Sequence, residues 1–305
     1  HANPAIDMAG MTAWKDEVVD QLTTGVERLC KGNGVNLVEG TAEFDDATTA
    51  RVAHGGEGQG SESIEFENAV VATGSRPVEL PSLPFDGERV LSSRHALALD
   101  SVPDRLLVVG AGYIGMELAT VFAKAGSDVT VVEALDQALP GYEADVTRVV
   151  TQRAKSLGVE FHFGEAAADW REREDGLTVV TEGDDGTVAE YDATKALVAV
   201  GREPVTDTVA LDAAGVETDE DGFVPTDDRA RTNVDHVFAV GDVAGEPMLA
   251  HEAMKAGEVA AEVIAGEPAA MDQQAIPAAV FTDPEIGTVG MTEAEAEDAG
   301  FEPVV

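Results

Sequence analysis

Cysteine is almost absent: Cys30 stands alone in 305 residues. One cysteine excludes an internal disulfide and a CxxC-type site. Its setting, Val26-Glu27-Arg28-Leu29-Cys30, reads as a helix end with a small apolar residue rather than a nucleophile. Basic residues are also scarce, with 19 Lys plus Arg against 59 Asp plus Glu. No basic patch exists to neutralise phosphates along a strand, which argues against nucleic acid as a partner. No apolar run approaches the length of a membrane span, and the N-terminal residues lack the basic and apolar regions of a signal peptide. A soluble cytoplasmic protein without a membrane partner is expected.

The acids that remain give a net charge of −40. They run along the whole length, on a helical stretch (Glu293, Glu295, Glu297, Asp298) and in turns (Asp184-Asp185, Asp219-Glu220-Asp221), and do not gather in a tail. Such self-repulsion destabilises a compact chain at low ionic strength. Near molar salt the screening length shrinks to about 3 Å, which removes that cost. The composition therefore predicts a halophilic protein of a high-salt cytoplasm; an ordinary acidic protein is the other reading. Hydrophobic content is 44%, and the length suits about two domains with a large core.

Residues 105–133, RLLVVGAGYIGMELATVFAKAGSDVTVVE, carry the strongest signal. The apolar run Leu106 to Val109 predicts a buried strand, and Gly110-Ala111-Gly112-Tyr113-Ile114-Gly115 is a G-x-G-x-x-G loop. A helix follows, with Ile114, Leu118, Val121, Phe122 and Ala125 expected on its apolar stripe. Gly126 ends it, and a second strand, Val129 to Val132, closes on Glu133. Strand, loop, helix, strand and acid form the fingerprint of a dinucleotide site. Gly110 permits the tight turn, Gly112 lets a pyrophosphate approach the backbone, and Gly115 lets helix and strand pack closely. Glu133, 21 residues beyond Gly112, is placed to accept from a ribose 2′-OH. It repels a 2′-phosphate, and Ala134-Leu135-Asp136 supply no Arg to welcome one, so NAD is favoured over NADP. A mere glycine-rich turn is the plainer alternative, against which the flanking elements all speak.

Elsewhere, three-to-four spacing of Trp14, Val18, Leu22, Val26 and Leu29 predicts a helix over 11–32. Strands are expected at 35–38, 50–54 and 62–72, and residues 78–104 read as a connection with Pro77, Pro81, Pro84 and Pro103. A helix over 142–158 and strands at 159–163, 177–182, 187–191 and 196–200 follow. Val70–Pro77 and Leu197–Pro204 resemble each other: each is an apolar strand stopped by Gly, then a basic residue and Pro. The likeness suggests two related nucleotide-binding units, though short apolar strands also coincide by chance. A third strand, Val237 to Val240, ends at Gly241-Asp242, where a carboxylate can hold a ligand hydroxyl or simply form a turn. A helix over 249–265 comes next.

Seven segments in this order resemble the FAD-dependent pyridine nucleotide–disulfide oxidoreductases: ATGSRP (72–77), VVGAGYIGMELA (108–119), VTVVE (129–133), VAVGREP (198–204), TNVDHVFAVGDV (232–243), MLAHEAMKAG (248–257) and IPAAVFTDPEIGTVGMTE (276–293). The resemblance implies an α/β protein with two Rossmann-like dinucleotide-binding domains, the FAD domain interrupted by the NAD domain. Residues 1–80 and 205–272 would belong to the FAD domain and 81–204 to the NAD domain. Residues 273–305 would begin an α+β dimer-interface domain. Cofactors FAD and NAD, a lipoyl-bearing protein or small disulfide as substrate, and a homodimer follow from the same resemblance.

The resemblance also implies roles. Gly110, Ala111, Gly112, Tyr113, Ile114, Gly115, Met116 and Glu117 would cradle NAD, with Glu117 near the nicotinamide, Glu133 on the ribose, and Ala166 and Gly201 at the adenine and nicotinamide ends. Gly40, Thr73, Gly74 and Ser75 would line FAD, Asp242 would hold its ribityl chain, and Met248, Leu249, Ala250 and His251 would pass beneath the isoalloxazine. Family chemistry runs from a dithiol through an enzyme disulfide and FAD to NAD⁺. The family's Cys-x4-Cys pair, its FAD pyrophosphate loop and its His–Glu base have no counterpart here, so no catalytic residue and no metal ligand are expected in this chain. His251 and Glu252 are adjacent on a helix and diverge too far to form that base. His1 in place of Met, and the closing Phe301-Glu302-Pro303-Val304-Val305, suggest a piece of a longer protein. Lipoyl-dithiol oxidation is the chemistry the motifs match best; a mercuric reductase-like enzyme, an NADH oxidase, a transhydrogenase or a plain NAD-binding module are the alternatives.

Overall fold

The computed structural model describes residues 6–55, 60–273 and 275–304. They divide into two compact units. One comprises the described residues of His1–Thr23, Pro77–Gly201 and Pro277–Val305, the other those of Thr24–Arg76 and Arg202–Ile276.

In the first unit five parallel strands form a sheet in the order Val90–Leu91, Lys195–Val198, Arg105–Val109, Asp128–Glu133 and Glu160–Phe163. The central strand is apolar at consecutive positions because both of its faces are covered. Leu106 and Val108 join a core with Met116 and Phe122 of helix Tyr113–Ala125. Leu107 and Val109 join a second core with Leu177 and Val179. Those two come from an antiparallel sheet, Glu165–Arg173, Gly176–Gly183 and Val188–Ala193, inserted before the last parallel strand. A second helix, Ala144–Ser156, adds Val150 and Ala154 to the first core.

The stripe of the glycine-loop helix differs from expectation. Leu118 and Phe122 are buried, but Val121 is 42% exposed, and Gly115, Met116 and Ala119 are buried in its stead. Lacking a Cβ, Gly115 draws the row Gly115–Ala119–Phe122 toward the sheet and turns Val121 outward. Gly126 ends the helix in the left-handed region, φ 104°.

Residues 277–304 contribute the hairpin Ala278–Val280 with Ile286–Thr288 and the short helix Glu293–Asp298, which Thr292 and Glu295 cap reciprocally. Val280 and Ile286 are buried in the first core.

The second unit holds an antiparallel meander (Thr41–Asp46, Thr49–Ala53, Ser61–Glu65), the parallel pair Ala69–Val71 and Val237–Ala239, and a short pairing of Ser75–Pro77 with Arg202–Pro204. Helix Ala250–Ile264 follows a 3₁₀ turn at Gly241–Val243. The core gathers Val71, Leu211, Val224, Val237, Ala239 and Val243.

Three further sequence expectations need correction. Residues 35–38 are not a strand: Val35, Leu37 and Val38 are 43–51% exposed, and no described strand lies beside them to take up their backbone groups. The run 62–72 is two strands, broken at Phe66–Asn68. The supposed connection over 78–104 supplies the edge strand Val90–Leu91 and the helix Ser93–Ala96. The first helix, Met8–Gly32, forms as its spacing predicts, yet Trp14, Leu22, Val26 and Leu29 are each 60–67% exposed. Among the described residues no helix is long and apolar enough to cross a membrane.

Candidate functional site

The first unit's site begins where strand Arg105–Val109 ends. Gly110 has φ 99°, and a Cβ there would stand 2.4 Å from the Ala199 carbonyl oxygen. Only glycine allows the chain to turn this close to the neighbouring strand end. A Cβ on Gly115 would meet the Gly110 carbonyl oxygen at 2.0 Å, so this glycine sets the spacing of helix and loop. Gly112 is different. Its backbone is ordinary, φ −67°, and a Cβ there would meet nothing within 4 Å. Space lies open over the residue that caps the helix, at the positive end of its dipole, and a diphosphate fits such a place.

Glu133 closes the loop from the next strand. Its Oε2 accepts the Ala111 amide at 2.6 Å and its Oε1 the Leu135 amide at 2.9 Å. The carboxylate is buried, 9% exposed, and both oxygens keep a lone pair for a further donor. The loop is also held behind by the Leu139 amide donating to the Ala111 carbonyl at 2.8 Å. The chain leaves strand Arg105–Val109 toward Asp128–Glu133 on one side, while Lys195–Val198 lies on the other. The loop thus sits at the switch point of an open parallel sheet, where such sheets bind ligands.

Further along the helix, Glu117 is half-buried and its Oε1 accepts the Phe281 amide at 2.8 Å. Burial first, then the Glu117 charge, raises the Tyr142 phenol above its ordinary range. The sequence alone does not single out Phe281 or Tyr142. Phe281 lies within the segment 276–293, but its bond to Glu117 spans 164 residues, and no local pattern marks either contact. Of the remaining expected positions, Gly201 has φ 135° just past strand Lys195–Val198, and Ala166 is exposed in strand Glu165–Arg173 opposite Glu182.

In the second unit Ser75 Oγ donates to Asp242 Oδ2. Arg202 donates from Nε to Ser75 Oγ and from Nη2 to the Ser75 carbonyl, both at 2.7 Å. Its Nε lies 4.0 Å from Asp242 Oδ2. Thr73 Oγ1 donates to the Val205 carbonyl at 2.6 Å, and the Val205 amide returns a bond to Gly74 at 2.9 Å. The two segments that resemble each other in sequence are therefore paired, and Arg202 is a member of the cluster that the motif alone did not reveal. Gly40 tucks against the meander: a Cβ there would lie 2.5 Å from the Ala53 carbonyl oxygen. Gly241, φ 74°, packs against Ala253 at the start of helix Ala250–Ile264. Met248 and Leu249 are half-buried ahead of that helix, Ala250 and His251 exposed. Burial first, then the Asp242 charge, raises the Glu252 carboxyl; the nearby His251 opposes this.

The sequence profile described as "Pyridine nucleotide-disulphide oxidoreductase" matches residues 1–257. The chain belongs to the pyridine nucleotide-disulphide oxidoreductase family. Proteins of this family bind FAD and NAD(H). The family's dimerisation-domain profile matches residues 276–305. The chain is 69% identical to dihydrolipoyl dehydrogenase 2 of Haloarcula marismortui and 64% identical to dihydrolipoyl dehydrogenase of Haloferax volcanii. Each alignment covers all of this chain and 64% of the relative. Both organisms are halophilic archaea, in keeping with the acid excess of this family member. Among solved structures, LpdA of Mycobacterium tuberculosis superposes with a TM-score of 0.87 at 29% identity, over 98% of this chain and 65% of that one. The HOCl-induced flavoprotein disulfide reductase RclA of Escherichia coli gives 0.85 at 28% identity, over 97% and 66%. The chain thus spans about two thirds of the length of these oxidoreductases.

Proposed function

We propose that this chain is the nucleotide-holding portion of a dihydrolipoyl dehydrogenase, which oxidises a dihydrolipoyl group and passes the electrons through FAD to NAD⁺. The observation that carries the reading is the pairing of open space at Gly112 with the Glu133 carboxylate beside it. The high identity to two haloarchaeal dihydrolipoyl dehydrogenases supports the choice of substrate.

In this reading residues 81–204 bind NAD. Gly110 to Gly115 receive the diphosphate, Glu133 accepts the adenosine ribose, and Met116 and Glu117 lead toward the nicotinamide, with Ala166 and Gly201 at the two ends. Residues 1–80 and 205–272 hold FAD. Asp242, with Ser75 and Arg202 already turned to it, accepts a ribityl hydroxyl. Gly40, Thr73 and Gly74 line the flavin, and the backbone from Met248 to His251 runs below its ring. When bound, the flavin and nicotinamide supply electron and hydride transfer. This chain's part is to bind, orient and exclude water. Its single cysteine cannot form the redox disulfide. Residues 273–305 begin a dimerisation domain, a lipoyl-bearing protein is the substrate, and a high-salt cytoplasm is the setting.

Calorimetric titration in molar KCl tests the reading. NADH and ADP-ribose should bind and NADPH should bind at least tenfold more weakly. A folded chain that takes up neither NADH nor ADP-ribose refutes it.

A further inference from the structure

We propose that Asp283 is a positioning residue for the nicotinamide end of the nucleotide: it fastens the Phe281 amide against Glu117 and so fixes the direction in which that carboxylate points. The proposal rests on NAD binding at the glycine loop, as argued above.

Glu117 and Lys124 lie two turns apart on one face of helix Tyr113–Ala125. Phe281 and Asp283 lie two residues apart in the connection between strands Ala278–Val280 and Ile286–Thr288. Each end of this short segment meets one of the two helix positions. The Phe281 amide donates to Glu117 Oε1 at 2.8 Å. Asp283 Oδ2 accepts Lys124 Nζ at 2.9 Å. The same oxygen accepts Arg153 from helix Ala144–Ser156, at 3.0 Å from Nη2 and 3.2 Å from Nε. Lys124 and then Arg153 hold the Asp283 carboxyl below its ordinary range. Val280 and Ile286 are buried on either side, so the segment has little freedom to rotate about these contacts.

The choice of residues is informative. The chain has 19 Lys plus Arg for 59 acids, and two of those few cations converge on one carboxylate. An isolated surface pair contributes little in molar salt. A carboxylate gripped by two cations from two helices is better placed to hold a loop in one position. With Oε1 engaged by Phe281, Glu117 presents its other oxygen to a donor, and the nicotinamide carboxamide offers an N–H. Loss of Asp283 releases the loop and leaves Glu117 free to turn.

The experiment compares the NADH and ADP-ribose affinities of the full chain and its variants, since ADP-ribose has every part of NADH except the nicotinamide. Asp283→Ala should weaken NADH about tenfold and leave ADP-ribose within about twofold, the size of one lost charge-assisted hydrogen bond. Asp283→Glu should restore most of the NADH affinity. Unchanged NADH affinity, or an equal loss for both ligands, overturns the proposal. If Asp283→Ala does not fold, Lys124→Gln and Arg153→Gln carry the same comparison with the same two outcomes. Failure of the parent chain to bind ADP-ribose is a separate result, which removes the nucleotide site itself.

Discussion

Glu133 Oε2 and the Ala111 amide lie 2.6 Å apart, inside the protein, with the Leu135 amide on the other oxygen. The acid proposed to meet the ribose thus also fixes the glycine loop at Ala111. In the proposed reading, recognition of the sugar and shaping of the phosphate cradle are one arrangement.

Replacing Glu133 should therefore have two effects. Glu133→Gln keeps the shape but weakens two charge-assisted bonds, and NADH affinity should fall about tenfold with a lower Tm. Glu133→Arg should move preference toward NADPH. Titration with both nucleotides checks this; an unchanged NADH to NADPH ratio in the arginine variant rejects the role.

The glycines separate folding from binding. Gly115→Ala places a methyl 2.0 Å from a carbonyl oxygen and should cost about 1–3 kcal/mol of stability. Gly112→Val meets no protein atom with its Cβ and should leave Tm nearly unchanged, while nucleotide affinity drops at least tenfold because the side chain fills the phosphate space. Equal Tm for Gly115→Ala and the parent chain counts against the packing argument.

How far the sequence reaches shows in these same residues. Gly110, Gly112, Gly115 and Glu133 were legible because their work is local: one turn, one helix start, one strand end. Glu117 with Phe281, and Ser75 with Arg202, were not, because each pair is joined by folding over more than a hundred residues. Strands Thr41–Asp46 and Glu165–Arg173 leave little mark in the sequence for a different reason. Most of their side chains are exposed and polar, so backbone pairing rather than an apolar pattern holds them. The stretch 35–38 has the opposite character, apolar in sequence but without a neighbouring strand among the described residues.

Glu252 should make stability depend on pH. Burial and the Asp242 charge raise its carboxyl in the folded chain, so the folded state binds the proton more tightly than the unfolded one. Stability from this group is present below the ordinary glutamate range and is lost as pH rises through the raised value. Glu252→Gln should raise Tm by about 1–3 °C at pH 7.5 and leave it unchanged at pH 4. Thermal melts at the two pH values decide; an equal effect at both would contradict the burial argument.

Salt should stabilise the chain strongly. With a net charge of −40, melting in 2 M KCl should exceed that in 0.05 M KCl by about 10 °C or more. Equal melting temperatures would mean the acids serve another purpose.

The first helix carries a last consequence. Trp14, Leu22, Val26 and Leu29 form an exposed oily ridge on this helix, in a chain whose net charge is −40. Salt that quiets the repulsion among its carboxylates also removes what keeps two such ridges apart. Purified samples should clump more readily as ionic strength climbs, even while each folded copy grows harder to melt.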